Sequence, residues 1–188
     1  LWKIRFALHL LAGRKEDRLL FDYQKQLAVV FGYQDDDESL GVEKFMQNYY
    51  RNAMYLEQLN MRLLQLFKEN ILQGDEDKQV TLINDEFSII NGFLEVNDRQ
   101  VFLDRPAALF ELFHHYQQNP NVYGIRANTQ RYVSMSLHLI NDEFRHDESV
   151  KAIFLAIFKH KNLVFNQLNL MNALGVLGQF LPAFGRIV

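Results

Sequence analysis

From Val42 to Gln73 the chain runs without a glycine or a proline, and Phe45, Tyr49, Ala53, Leu56, Leu63, Phe67 and Ile71 recur within it at helical spacing. At 1.5 Å per residue such a helix is roughly 48 Å long, longer than a small domain is wide. It must either support several shorter helices or bridge two bodies. Gly74 is expected to stop it, and Asp75-Glu76-Asp77-Lys78 to form a solvated loop.

Shorter helices are expected on both sides. Leu1, Ile4, Leu8 and Leu11 share one face of an opening helix, with Trp2, Phe6 and Leu10 beside it, and Gly13 closes it. A second helix is expected from about Asp17 to Gly32, followed by a solvated acidic loop, Asp35 to Glu38. The period then changes over Glu86 to Val96. Asn91-Gly92 between two β-prone runs signals a hairpin, because a type I′ turn needs positive φ at both central positions. Gln100 to Phe102 is expected to add a short third strand. Helix resumes with Asp104 as N-cap and Pro106 in the first turn, and ends near Gln118 before Pro120. Another is expected to be capped at Asn128 or Thr129 and to run past Ile140, and a third to be capped by Asp147. Leu163 to Leu174 and a piece from Val176 to Leu181 complete the pattern. The fold class expected is therefore all-α. It is an irregular multi-helix bundle around one long central helix, with a small β-hairpin insertion at about residues 86–102, and residues 1–188 form a single helical domain.

Composition narrows the function classes. With 188 residues and 48% hydrophobic content, the chain can bury a core without a staple. A net charge of −3 gives no global field for nucleic acid or an anionic membrane. The absence of cysteine excludes a disulfide scaffold, a thiolate metal site and a cysteine nucleophile, and fits a reducing compartment. No signal peptide is visible, and with no initiating Met both ends are expected to be cut from something longer. The uncharged stretch from Asn162 to Gly185 carries too many amides to span a bilayer. It is expected to pack partly on its own domain and partly on a neighbour, so that Phe180, Leu181 and Phe184 are not all buried within the chain.

Candidate chemistry is sparse. Two Glu-x-x-His pairs, Glu111/His114 and Glu143/His146, place a carboxylate and an imidazole on one helix face, as in di-iron bundles. That site needs further carboxylates, yet none lies between His115 and Ile140, so both pairs are read as solvent-facing. His146-Asp147 matches the dipeptide of metal-dependent phosphohydrolases. The ligand count fails, however, because beyond Glu148 no acidic residue follows. Gly175-Val176-Leu177-Gly178 reads as a close-packed bend rather than a phosphate cradle. Arg14, Arg18 and Asp22 are spaced four apart around a helix start, with Glu16 and Asp17 between them. They read as a salt-bridged junction or as an anion-facing lip toward a neighbouring domain. No catalytic, cofactor-binding or metal-ligating residue is assigned.

The run Arg5-Phe6-Ala7-Leu8-His9-Leu10-Leu11-Ala12-Gly13-Arg14, with Glu16 to Asp22 after it, resembles the bacterial protein-PII uridylyltransferase/uridylyl-removing enzymes. So do Val42-Glu43, Phe45-Met46 and Tyr49-Tyr50-Arg51, and the block from Met171 through Gly175, Gly178 and Pro182 to Gly185. The resemblance implies a cytoplasmic, multifunctional enzyme of nitrogen regulation that moves UMP from UTP to PII and hydrolyses it off with magnesium or manganese. It implies that this stretch is a non-catalytic helical domain between a nucleotidyltransferase and an HD phosphohydrolase domain. Those two domains, and PII itself, are the implied partners; no nucleic acid or membrane is implied. The alternatives are a free-standing helical interaction module, or the equivalent region of a glutamine-synthetase adenylyltransferase. The family's nucleotidyltransferase motif and HD ligands have no counterpart in this sequence, so no catalytic residue is carried over and the chain alone is expected to be inactive.

Overall fold

Helix α1 (Trp2–Ala12) ends where Gly13 takes a left-handed conformation, φ 63°, as its position after the last apolar residue demands. The computed structural model describes residues 1–73, 79–159 and 163–185. Helix α2 spans Phe21–Val30 and starts four residues later than expected, because Glu16, Asp17 and Arg18 are engaged in ion pairs on an irregular segment. Helix α3 spans Gly41–Gln73. The acidic loop before it does more than meet solvent. The Asp35 carboxylate accepts from Gly41 N at 2.6 Å, and Glu43 reaches back to Leu40 N at 3.0 Å, so free N–H groups at the start of α3 are satisfied. Gly74 and residues 75–78, expected to form the stop and loop, lie outside the described residues.

The packing divides into two compact units, 1–57 and 58–187, where the sequence suggested one body; the division falls inside α3. In the first unit Leu8, Leu27, Ala28 and Phe45 are buried together, with Phe45 stacked on Phe31 and edge-on to Tyr33.

The chain is mostly helical, as expected, but the second unit holds a small sheet in place of a lone hairpin. Strands β1 (Val80–Leu82), β2 (Phe87–Ile90), β3 (Phe93–Val96) and β4 (Gly124–Ile125) form one four-stranded sheet in the order β1-β2-β3-β4. The β2–β3 hairpin pairs Phe87 with Val96 and Ile90 with Phe93, and Asn91 and Gly92 both have positive φ, 50° and 78°. Parallel pairing of β4 with β3 is a tertiary event that no local pattern announces. Gln100 to Phe102 is not a strand. Asp98 accepts from Gln100 N at 2.7 Å, and the turn it starts becomes helix α4 (Val101–Asp104), which buries Phe102. Asp104 therefore ends a helix instead of capping one, and α5 (Ala108–Gln118) follows Pro106.

The remaining helices are α6 (Ala127–Met135), α7 (Asp142–His146), α8 (Glu148–Ile157), α9 (Val164–Ala173), α10 (Val176–Phe180) and α11 (Pro182–Gly185). Helix α6 stops at Met135, short of the expected Ile140, and a 3₁₀ turn at Leu137–Leu139 follows. Asp147 caps α8 as expected, accepting from Ser149 N at 2.7 Å and Val150 N at 3.3 Å. Phe110 is fully buried, and its ring meets those of Phe180, Phe144 and Phe154 at 4.7, 5.4 and 5.8 Å. Gly175, at φ 80°, turns the chain from α9 into α10. A side chain on Gly185 would meet Gly178 O at 2.7 Å, so the two glycines permit a backbone-to-backbone approach of α10 and α11. Phe180 enters the core, whereas Leu181 and Phe184 stay 39% and 36% exposed. Among the described residues no helix is long and apolar enough to cross a membrane.

Candidate functional site

Past Gly13 the chain leaves α1, and its non-helical backbone lets neighbouring carboxylates point to different partners. Glu16 turns to its own segment. Its carboxylate accepts from Arg14 Nη2 at 3.0 Å, from Arg18 Nε and Nη2 at 3.0 and 3.1 Å, and from Arg18 N at 3.0 Å. The Glu16 side chain is only 5% exposed, while Arg14 and Arg18 are 66% and 71% exposed, so the two guanidinium groups cover it. Hydrogen bonds from Arg18 hold the Glu16 carboxyl at a pKa of about 2.

Asp17 turns back to α1. It accepts from Arg5 Nε at 2.7 Å and Nη2 at 3.2 Å, and lies 3.1 Å from His9 Nε2. Arg5 and His9 are one helical turn apart, which is what brings both to one carboxylate. The Arg5 hydrogen bonds hold Asp17 at about 2 as well. Arg5 also lies 5.6 Å from the centre of the Trp2 ring. Beside this pair is a cavity of about 360 Å³ lined mainly by Leu1, Trp2, Ile4, Leu8, Leu19 and Tyr49.

Of the residues singled out in the sequence, Arg14 and Arg18 thus meet at one carboxylate. Asp22 stands in the first turn of α2, where its charge favours the helix N-terminus. Glu16 and Asp17 are the hubs that spacing alone did not reveal. The i,i+4 placement of Arg5 and His9 was the available signal for Asp17.

The two Glu-x-x-His pairs do not converge into a metal site. Glu111 is held by Arg105, whose Nη1 and Nη2 lie 2.6 Å from its two oxygens, and His114 Nε2 accepts from Gln118 at 2.8 Å. His146 donates from Nδ1 to Asp142 O at 2.6 Å. Glu111, Glu143 and Asp147 do line one cleft of about 600 Å³ in the second unit, with Arg105 among them. Even so, among the described residues no group of three or more His, Asp or Glu could hold a metal ion, and the residues present do not fit a divalent cation. Chemically, the first-unit cluster is a set of neutralised ion pairs beside an apolar cavity. It offers a charged and apolar binding surface.

The family model described as "Uridylyltransferase GlnD third domain" matches residues 87–180, and "GlnD PII-uridylyltransferase" matches residues 1–64. Bifunctional uridylyltransferase/uridylyl-removing enzymes of Pseudomonas aeruginosa (45% identical), Azotobacter vinelandii (44%) and Pseudomonas syringae pv. tomato (44%) align with all 188 residues. The chain spans 21% of the length of these relatives. No solved structure matches it. The chain therefore belongs to the family of the uridylyltransferase GlnD third domain.

Proposed function

We propose that this chain is the non-catalytic helical segment of a bifunctional uridylyltransferase/uridylyl-removing enzyme, standing between its nucleotidyltransferase and HD phosphohydrolase domains. The observation that carries the reading is the alignment of the whole chain with about one fifth of such enzymes, joined to a cluster in which Glu16 and Asp17 are committed to Arg14, Arg18, Arg5 and His9. In this reading the transfer of UMP from UTP to PII, and its removal, occur on other segments of the longer polypeptide. Those segments would hold the magnesium or manganese. The segment's task is to fix the positions of two opposed activities in a cytoplasmic nitrogen-regulatory enzyme.

Arg14 and Arg18, with Asp22 four residues on, are proposed to face the nucleotidyltransferase domain. Each guanidinium has five donors and spends only part of them on Glu16, so N–H groups remain for an anionic neighbour. The test of inactivity is direct: the purified chain is incubated with UTP, PII and magnesium or manganese. No labelled PII is expected, and labelling that co-purifies with the chain would overturn the proposal.

A further inference from the structure

Helix α3 is fastened to the second unit without joining its core. Among the described residues, the buried core of that unit is drawn from Phe87 to Phe180 and takes no side chain from α3. From Gln58 to Ile71 the single buried residue is Glu69. Leu59, Leu63, Leu64, Leu66, Phe67 and Ile71 are all between 41% and 78% exposed. The fastening is polar. Glu69 accepts from Ala127 N at 2.7 Å, and Lys68 Nζ donates to Tyr123 O at 2.6 Å. The same ammonium lies 6.0 Å from the centre of the Phe93 ring, where an apolar side chain would ordinarily sit. Gln58 and Gln65 stand against the glycines Gly175 and Gly124. Docking also leaves Arg62 Nε buried with no hydrogen-bond partner among the described residues, a penalty that water removes when the helix lifts.

A contact of this kind opens differently from an apolar one. Separating two apolar faces returns their whole area to water, whereas each hydrogen bond given up here is exchanged for one with water. Segments with few buried apolar contacts are the ones that open while the rest of a domain stays folded. The Phe87–Phe180 core holds nothing from α3, so it loses no packing partner when the helix leaves. Once released, a helical piece of this length is marginal in water and its amides become exchangeable. We propose that residues 58–71 are a releasable strap, which lifts from the second unit as one body while the core from Phe87 to Phe180 stays folded. The second unit then has a strapped and an unstrapped state, and any ligand that prefers one of them shifts the balance.

Amide hydrogen exchange of the 188-residue chain, read residue by residue by NMR at increasing urea, tests the strap. Ala127 N is the reporter, because its acceptor sits on α3. Ala127 N and the amides of residues 62–71 are expected to exchange through one shared opening, ~100-fold or more faster than the amides of α5. That opening should depend less on urea than the α5 exchange does, since it exposes less surface. Glu69→Gln keeps the acceptor but weakens the strap, and is expected to speed Ala127 N and residues 62–71 together by about 5-fold. Ile157→Val trims a fully buried position in α8 and weakens the strapped and unstrapped states alike. It is expected to speed α5 exchange by roughly 2- to 10-fold and to leave the strap amides and Ala127 N unchanged. If those amides respond to Ile157→Val as strongly as α5 does, the helix and the core open together and the proposal is overturned. Ala127 N and residues 62–71 exchanging at unrelated rates would overturn it as well, since the helix would then not lift as one body.

Discussion

Removing the Glu69 carboxylate should loosen the second unit more than any surface change of similar size. Glu69 is 7% exposed. Its Oε1 satisfies Ala127 N at 2.7 Å, at the start of α6, and its Oε2 lies 3.7 Å from Arg126 Nε, an ion pair too long to be a hydrogen bond. Arg126 Nη1 also donates to Glu95 at 2.8 Å, so the guanidinium keeps one partner when Glu69 is lost. Breaking a buried pair from one side costs roughly 3–5 kcal/mol. The surviving Glu95 contact puts Glu69→Ala at the lower end, about 3 kcal/mol, or about 6–12 °C in melting temperature for a chain of this length. Glu69→Gln keeps an acceptor for Ala127 N and loses only the longer ionic contact, so about 1 kcal/mol is expected. The double change with Arg126→Ala should fall short of the sum of the single changes by about 1 kcal/mol, since the two positions share one network. Urea unfolding followed by far-UV circular dichroism measures all four chains. If Glu69→Gln costs as much as Glu69→Ala, or if Glu69→Ala costs under ~1 kcal/mol, the network does not join α3 to α6.

Three further outcomes are expected. Gly92→Ala should destabilise by about 1–2 kcal/mol from its positive φ alone, and more because the new methyl would meet the Tyr123 ring at 2.7 Å; a melting temperature unchanged from wild type would contradict the turn geometry. Glu16 and Asp17 have folded pKa values of about 2, below their ordinary 4.5 and 3.8. Their contribution is therefore complete above those ordinary values and lost as pH falls from there toward 2. Trp2 fluorescence in an acid titration should show this loss, and Glu16→Gln with Asp17→Asn should flatten it; an unchanged transition in the double variant would refute the assignment. In the longer polypeptide, Arg14→Ala with Arg18→Ala should reduce uridylylation more than Glu16→Gln does. Equal losses would reduce the arginines to partners of Glu16 alone.

Local signals were the legible part of this fold. Gly13, Gly175, the Asn91-Gly92 turn and the Asp147 cap each act through backbone rules that operate within a few residues, and each appears where the sequence placed it. The failures share a different cause. Strand β4 exists only because β3 lies beside it. The start of α6 is capped by a carboxylate from α3, 58 residues away, in place of Asn128 or Thr129. Thr129 is instead spent on Val96 N at 3.2 Å. Phe102 was read as strand because apolar residues carry no period over three positions, whereas Asp98 decided the turn. At the candidate site, the Arg14/Arg18 spacing announced an ionic junction, but Glu16 became its buried centre only through a change of chain direction after Gly13. The apolar positions of α3 were legible as helical. Which side of that helix faces the body was not, because amides and a buried carboxylate took the inward role ordinarily held by leucine.

The scaffold reading is tested most directly inside the longer polypeptide, by Glu143→Gln with His146→Asn and, separately, His114→Asn. These positions carry the acids and imidazoles whose spacing most resembles a catalytic set, yet His114 is engaged by the Gln118 amide and His146 by the Asp142 carbonyl. Uridylylation of PII and its reversal should both stay within about 2-fold of wild type at equal folded protein, since no proton transfer depends on these groups. A fall of ~100-fold or more in either rate, the mark of a lost general acid or base, would contradict the reading and place chemistry on this segment.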